Sequence, residues 1–141
     1  MVGTSGTPLA TKLGVGPGSR LALLGAPEGW ECDLPPGVVV THQARGHADV
    51  VLAFFTRRAA LTRRVDALGA LIFPSGGLWI AWPKKASGRV TDLSDDAVRR
   101  TALGRGLVDN KVCAVDQTWS ALRLVWRREL RSGPGPTLSA R

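Results

Sequence analysis

At 141 residues with a net charge of +8, 44% hydrophobic residues and a mean hydropathy of +0.03, the chain has the composition of a globular protein, not a disordered one. Its longest apolar run free of Gly and Pro, Val50 to Phe55, is too short to span a bilayer, and Met1 to Gly6 lacks a basic-then-apolar leader, so cytoplasmic residence is expected. The two cysteines, Cys32 and Cys113, and the two histidines, His42 and His47, stand outside any metal-ligand spacing, and no metal is expected.

Residues 1–6 read as a flexible terminus, followed by one α/β domain over 7–130 and a disordered tail over 131–141 rich in Gly and Pro. Thr7-Pro8 has the form of an N-cap with proline in the first helical position, ahead of a short helix carrying Leu9, Lys12 and Leu13 and ended by Gly14. After a Gly16-Pro17-Gly18 turn, Arg20 to Leu24 reads as the first buried strand. The segment that follows it, Gly25-Ala26-Pro27-Glu28-Gly29-Trp30, is where a nucleotide fold places its glycine-rich turn. The pattern is GxxxG broken by proline, not GxGxxG, which makes a weak cofactor fingerprint.

Val38 to Thr41 is β-branched and reads as a strand; Val50 to Phe55, continuously apolar, is expected in the middle of a parallel sheet covered on both faces. Thr56 is placed to cap a helix over Arg57 to Leu71, with Ala60, Leu61, Val65, Leu68 and Leu71 inward and Arg57, Arg58, Arg63 and Arg64 outward. Gly77 to Trp82 is a strand and Ser94 to Leu103 a helix ended by Gly104. Leu107 to Val115 and Ser120 to Arg127 form a closing hairpin, the second alternating inward Leu122, Leu124 and Trp126 with wetter residues. The expected architecture is a three-layer Rossmann-like, mostly parallel sheet with a C-terminal antiparallel hairpin, built by right-handed crossovers.

Ligands of open α/β sheets gather at the carboxyl ends of the strands. The segments expected there are Glu28-Gly29, Thr56 and Trp82-Pro83-Lys84-Lys85-Ala86-Ser87-Gly88, which joins two cations, a hydroxyl and a glycine between a strand and a helix. Lys84 or Lys85 would contact an anion or phosphate, Ser87 would offer a hydroxyl and Gly88 backbone access; Glu28 would pair with a lysine or act as a base. The competing reading is a Lys84–Glu28 ion pair with Lys85 solvated, an exposed arrangement worth ~0–1 kcal/mol. Trp30, Thr56, Asp116 and Trp119 are candidates for the rim, Trp30 to stack on a planar ligand and Asp116 as turn chemistry. No nucleophile with a positioned base can be read, so no residue is assigned a catalytic role. Fifteen of the 19 basic residues are arginines dispersed through the chain without interleaved aromatics; a solvated surface is preferred over a nucleic-acid stripe.

Ser5-Gly6-Thr7-Pro8-Leu9, Ala26-Pro27-Glu28-Gly29, Trp82 to Gly88, Asp92-Leu93 and Lys111 to Ser120 together resemble a small bacterial family, frequent in actinobacteria and defined as a domain of unknown function. The likeness runs from about residue 5 to Leu130 and implies no activity. The strand order also resembles the C-terminal half of the S-adenosylmethionine-dependent methyltransferase fold. The short span from Gly25 to Val38 departs from it, leaving too little chain for a crossover helix and an acidic strand end to hold a ribose. Three functions follow as expectations: a small-anion-binding domain without demonstrated catalysis, an S-adenosylmethionine-dependent small-molecule methyltransferase, or a basic protein that binds nucleic acid or an acidic partner.

Overall fold

A computed structural model describes residues 8–136. The expected flexible terminus over 1–6, the Thr7 cap and the last five residues of the expected tail lie outside them.

The short helix is α1 (Leu9–Leu13); Pro8 occupies its N-cap and Gly14, at φ 85°, its left-handed C-cap. Proline therefore stands one place earlier than the first helical position expected of it. The strands are β1 (Arg20–Leu24), β2 (Val39–Thr41), β3 (Val50–Phe54), β4 (Gly77–Pro83), β5 (Leu107–Ala114) and β6 (Trp119–Trp126), with α2 (Arg58–Ile72) and α3 (Asp95–Ala102) between them. They form one sheet in the order β2-β1-β3-β4-β6-β5. The first four strands are parallel, and β6 inserts antiparallel between β4 and β5. This is the expected mostly parallel α/β sheet with its closing hairpin.

Both faces of β3 are covered, so all five of its residues are buried and the strand shows no polar alternation. On one face, Leu61, Val65, Leu68 and Ile72 of α2 and Val98 and Ala102 of α3 pack on Val51, Leu78, Ile80, Leu122 and Leu124. The other face carries Leu21, Leu52, Phe54, Trp79 and Ala81, covered by Ala10 and Leu13 of α1 and by Trp30 and Val38 of the long β1–β2 loop. No helix stands in that loop, so the unit between β1 and β2 is reduced to a connection. Trp79, 1% exposed, donates its indole N–H to the Leu13 carbonyl at 2.9 Å and so ties α1 to the sheet.

Ser94, expected as the first residue of the helix, stands just before α3 as its N-cap and accepts the Ala97 N–H. Thr56 does not cap α2: the Arg58 N–H is taken at 2.7 Å by Asp92 Oδ1, from the loop before α3, and the Thr56 carbonyl accepts the Thr91 hydroxyl at 2.7 Å. A carboxylate meets the positive end of a helix better than a hydroxyl does. β5 runs in the same direction as β1–β4 but pairs only with β6, antiparallel, at the sheet border.

Candidate functional site

The carboxyl ends of β1, β3 and β4 share an edge with the β5–β6 turn. β1 leaves through Gly25, where φ is +69° and a Cβ would come 2.9 Å from the Phe54 carbonyl oxygen, so the loop hugs the end of β3 only because this residue is glycine. Pro27 to Trp30 then form a tight turn closed by Trp30 N–H to the Pro27 carbonyl at 3.0 Å, with Gly29 at φ +78°. A positive φ at the third position after an L residue is the type II arrangement. Glu28 and Gly29 are exposed at its tip.

The turn delivers Trp30. Its ring meets Phe54 edge-on at 5.3 Å, and Phe54 meets Trp119 edge-on at 5.0 Å, so three aromatics run in a row across the sheet edge. Arg89 lies over Trp119 at 5.7 Å. The Trp30 indole N–H donates to Asp116 Oδ2 at 3.3 Å, joining residues 86 apart. Asp116 Oδ1 accepts the Thr118 and Trp119 N–H groups, each at 2.8 Å. Its carboxylate is thus occupied in holding the turn and Trp30.

Lys84 reaches the same turn from β4. Its backbone N–H donates to the Thr118 carbonyl at 2.8 Å, and its Nζ to the Asp116 carbonyl at 2.7 Å. The expected alternative partner, Glu28, makes no ion pair with it among the described residues. Among the described residues one of the three ammonium donors is used and two remain. Ser87 spends its hydroxyl locally, donating to the Lys84 carbonyl at 2.7 Å and accepting the Arg89 N–H at 3.2 Å. Gly88, at φ +75°, ends the single 3-10 turn over Lys85–Ser87, and Lys85 is exposed beside it.

Of the residues singled out in the sequence, contacts therefore bring together Trp30, Lys84, Asp116 and Trp119. Glu28 and Gly29 stand at the tip of the adjoining turn. Lys85, Ser87 and Gly88 shape the loop after β4, while Thr56 contributes its carbonyl to the loop before α3. Sequence reasoning missed Phe54 and Arg89. Phe54 ends the buried strand and so had to meet whatever lies at its carboxyl edge; Arg89 directly follows the Lys84–Gly88 loop. Among the described residues no group of three or more His, Cys, Asp or Glu could hold a metal ion, and no helix is long and apolar enough to cross a membrane.

No protein-family model matches the chain, and no curated protein matches it, so membership of the bacterial family suggested by the motifs is not shown. Solved structures do match. The chain is similar to a SAM-dependent methyltransferase from Aquifex aeolicus, with a TM-score of 0.55 and 13% identity over 82% of this chain and 86% of that one. It is similar to the magnesium protoporphyrin IX methyltransferase (ChlM) of Synechocystis PCC 6803 with bound SAH, at 0.54 and 13% over 79% and 75%. The CcbJ methyltransferase from Streptomyces caelestis matches at 0.54 and 9% over 84% and 87%. At these identities the likeness is one of fold: the chain has a methyltransferase-like α/β fold.

Proposed function

We propose that this chain is a small-ligand-binding domain of methyltransferase-like fold, taking its ligand at the carboxyl edge where the β1–β2 loop, β4 and the β5–β6 turn meet. The observation that carries the reading is the junction of Trp30, Lys84 and Asp116. It offers an aromatic edge and an ammonium with two donors left, held by hydrogen bonds and so preorganised for a planar or anionic group. The functional residues are Trp30 and Lys84, with Lys85, Ser87, Gly88, Glu28 and Gly29 as its surroundings.

A second reading is an S-adenosylmethionine-dependent small-molecule methyltransferase. The names of the structural neighbours favour it over a plain anion site. The local residues do not fit that cofactor. β2 ends at Thr41, and no Asp or Glu occurs from Val38 to Ala48 to hold a ribose. The His42 ring instead turns back to β1, with Nδ1 3.2 Å from the Leu23 carbonyl oxygen. Glu28, Glu31 and Asp33 stand earlier, in the β1–β2 loop, and are exposed. We therefore derive no methyl-transfer step.

Calorimetric titration of S-adenosylmethionine, ATP and acyl-CoA into the wild-type chain and into Lys84→Ala tests both readings. Binding that weakens about tenfold in Lys84→Ala, the loss of one charged hydrogen bond, supports the site. Saturable S-adenosylmethionine binding would establish the second reading against the local misfit. No binding by any of the three, or binding indifferent to Lys84, contradicts the proposed site.

A further inference from the structure

On the sheet face that α1 covers lies an open recess of about 420 Å³, lined by Lys12, Trp79, Lys111, Val112, Cys113 and Ala114. Small-molecule sites typically enclose ~300–1,000 Å³, so the recess is of ligand size. α1 brings Lys12 to it, and β5 brings Lys111 and Cys113. The lining holds two ammonium groups and no carboxylate.

A third cation, Arg123, lies outside the lining but on a neighbouring strand position. In the register of the sheet it lies directly between Trp79 on β4 and Lys111 on β5. Its guanidinium rests along Gly77, where a Cβ would come 2.5 Å from Nε, so the glycine makes room for it. Among the described residues no carboxylate pairs with Lys12, Lys111 or Arg123. Asp109, on the same strand as Lys111, turns to the other face and binds Arg99 at 2.9 Å. Burial, and then repulsion from Arg131, push the Arg123 pKa down, as expected of a cation lacking a counterion. Burial raises the Cys113 thiol by more than Lys12 lowers it, which keeps the sulfur protonated.

We propose that this recess binds a small phosphate-bearing anion, gripped by Lys12 and Lys111. The site shares no residue with the junction of Trp30, Lys84 and Asp116, so either proposal stands or falls alone.

Inorganic pyrophosphate is the probe, titrated calorimetrically into the full chain. Saturable binding is expected, weakened about tenfold in Lys111→Ala, where a charged hydrogen bond is lost, and further in the Lys12→Ala/Lys111→Ala double variant. Arg63→Ala, an equal change of charge on the exposed side of α2, should bind as wild type does. A second readout needs no lysine variant: in a Cys32→Ser background, saturating pyrophosphate should slow iodoacetamide alkylation of Cys113 several-fold. Absence of saturable binding, affinity unchanged in the double variant, affinity lost equally in Arg63→Ala, or an unprotected Cys113 each overturns the proposal. Affinity lost in Lys84→Ala but kept in Lys111→Ala would move the anion to the carboxyl edge and overturn it as well.

Discussion

Gly25 and Gly29 separate two reasons for glycine within one loop. Both have positive φ, but a Cβ at Gly25 meets the Phe54 carbonyl oxygen at 2.9 Å, whereas at Gly29 nothing lies within 4 Å. Gly29→Ala should therefore cost only the left-handed backbone penalty, about 1–2 kcal/mol. Gly25→Ala should cost that and the clash, and urea unfolding midpoints for the two variants should rank in that order. Equal midpoints would mean that β1 and β3 do not approach as closely as described. The cysteines allow a pH prediction. Burial comes first in raising both thiols, with Asp33 adding to it at Cys32. Folding thus binds their protons more tightly, so the stability they contribute is complete below the unfolded thiol pKa and is lost as pH rises through the raised folded values. Stability should fall on the alkaline side, and by less in a Cys32→Ser/Cys113→Ser chain. An identical alkaline slope in the two chains would count against this.

Among the elements, the caps show what a sequence can and cannot convey. The start of α3 at Ser94 was legible because the cap and its partner, Ala97, are only three residues apart, and Ser94→Ala should cost about 1 kcal/mol. Asp92 was not legible as the cap of α2, because it reaches Arg58 across 34 residues and local spacing favoured Thr56. Asp92→Ala should lower the thermal midpoint through α2, at a cost of about 1 kcal/mol, while Thr56→Ala should leave it nearly unchanged. If Thr56→Ala is the more damaging of the two, the assignment of the cap is wrong. β3 was readable for a similar reason, since it declares burial on both faces through an unbroken apolar run; β6, expected to alternate with wetter residues, is instead buried on both faces, Ala121 and Val125 included, because it sits inside the sheet between β4 and β5. The site was legible only in parts. Trp30, Lys84, Asp116 and Trp119 could each be named, but the Trp30–Asp116 contact spans 86 residues, and no periodicity encodes it. Lys12 and Lys111 read as ordinary surface lysines until α1 and β5 were set side by side.

For the whole molecule, the sheet is unequally clothed. α2 and α3 bury one face, while a five-residue helix and a loop cover the other. The face with the lighter cover carries the aromatic row at the carboxyl edge and the basic recess below it. The methyltransferase-like fold supplies the edge; the end of β2 carries no carboxylate to hold a ribose. That combination leads to the central claim, a small-ligand site built around Trp30 and Lys84. The indole N–H region of a proton–nitrogen correlation spectrum tests it most directly. The chain has five tryptophans, and three of them have distinct described acceptors: Asp116 for Trp30, Leu13 for Trp79 and Gly69 for Trp126. On titration with S-adenosylmethionine, ATP and acyl-CoA, the account predicts that at least one ligand shifts the Trp30 indole signal saturably while that of Trp126, buried on the opposite face, stays in place. A Trp30 signal unmoved by all three ligands at saturating concentration would contradict it.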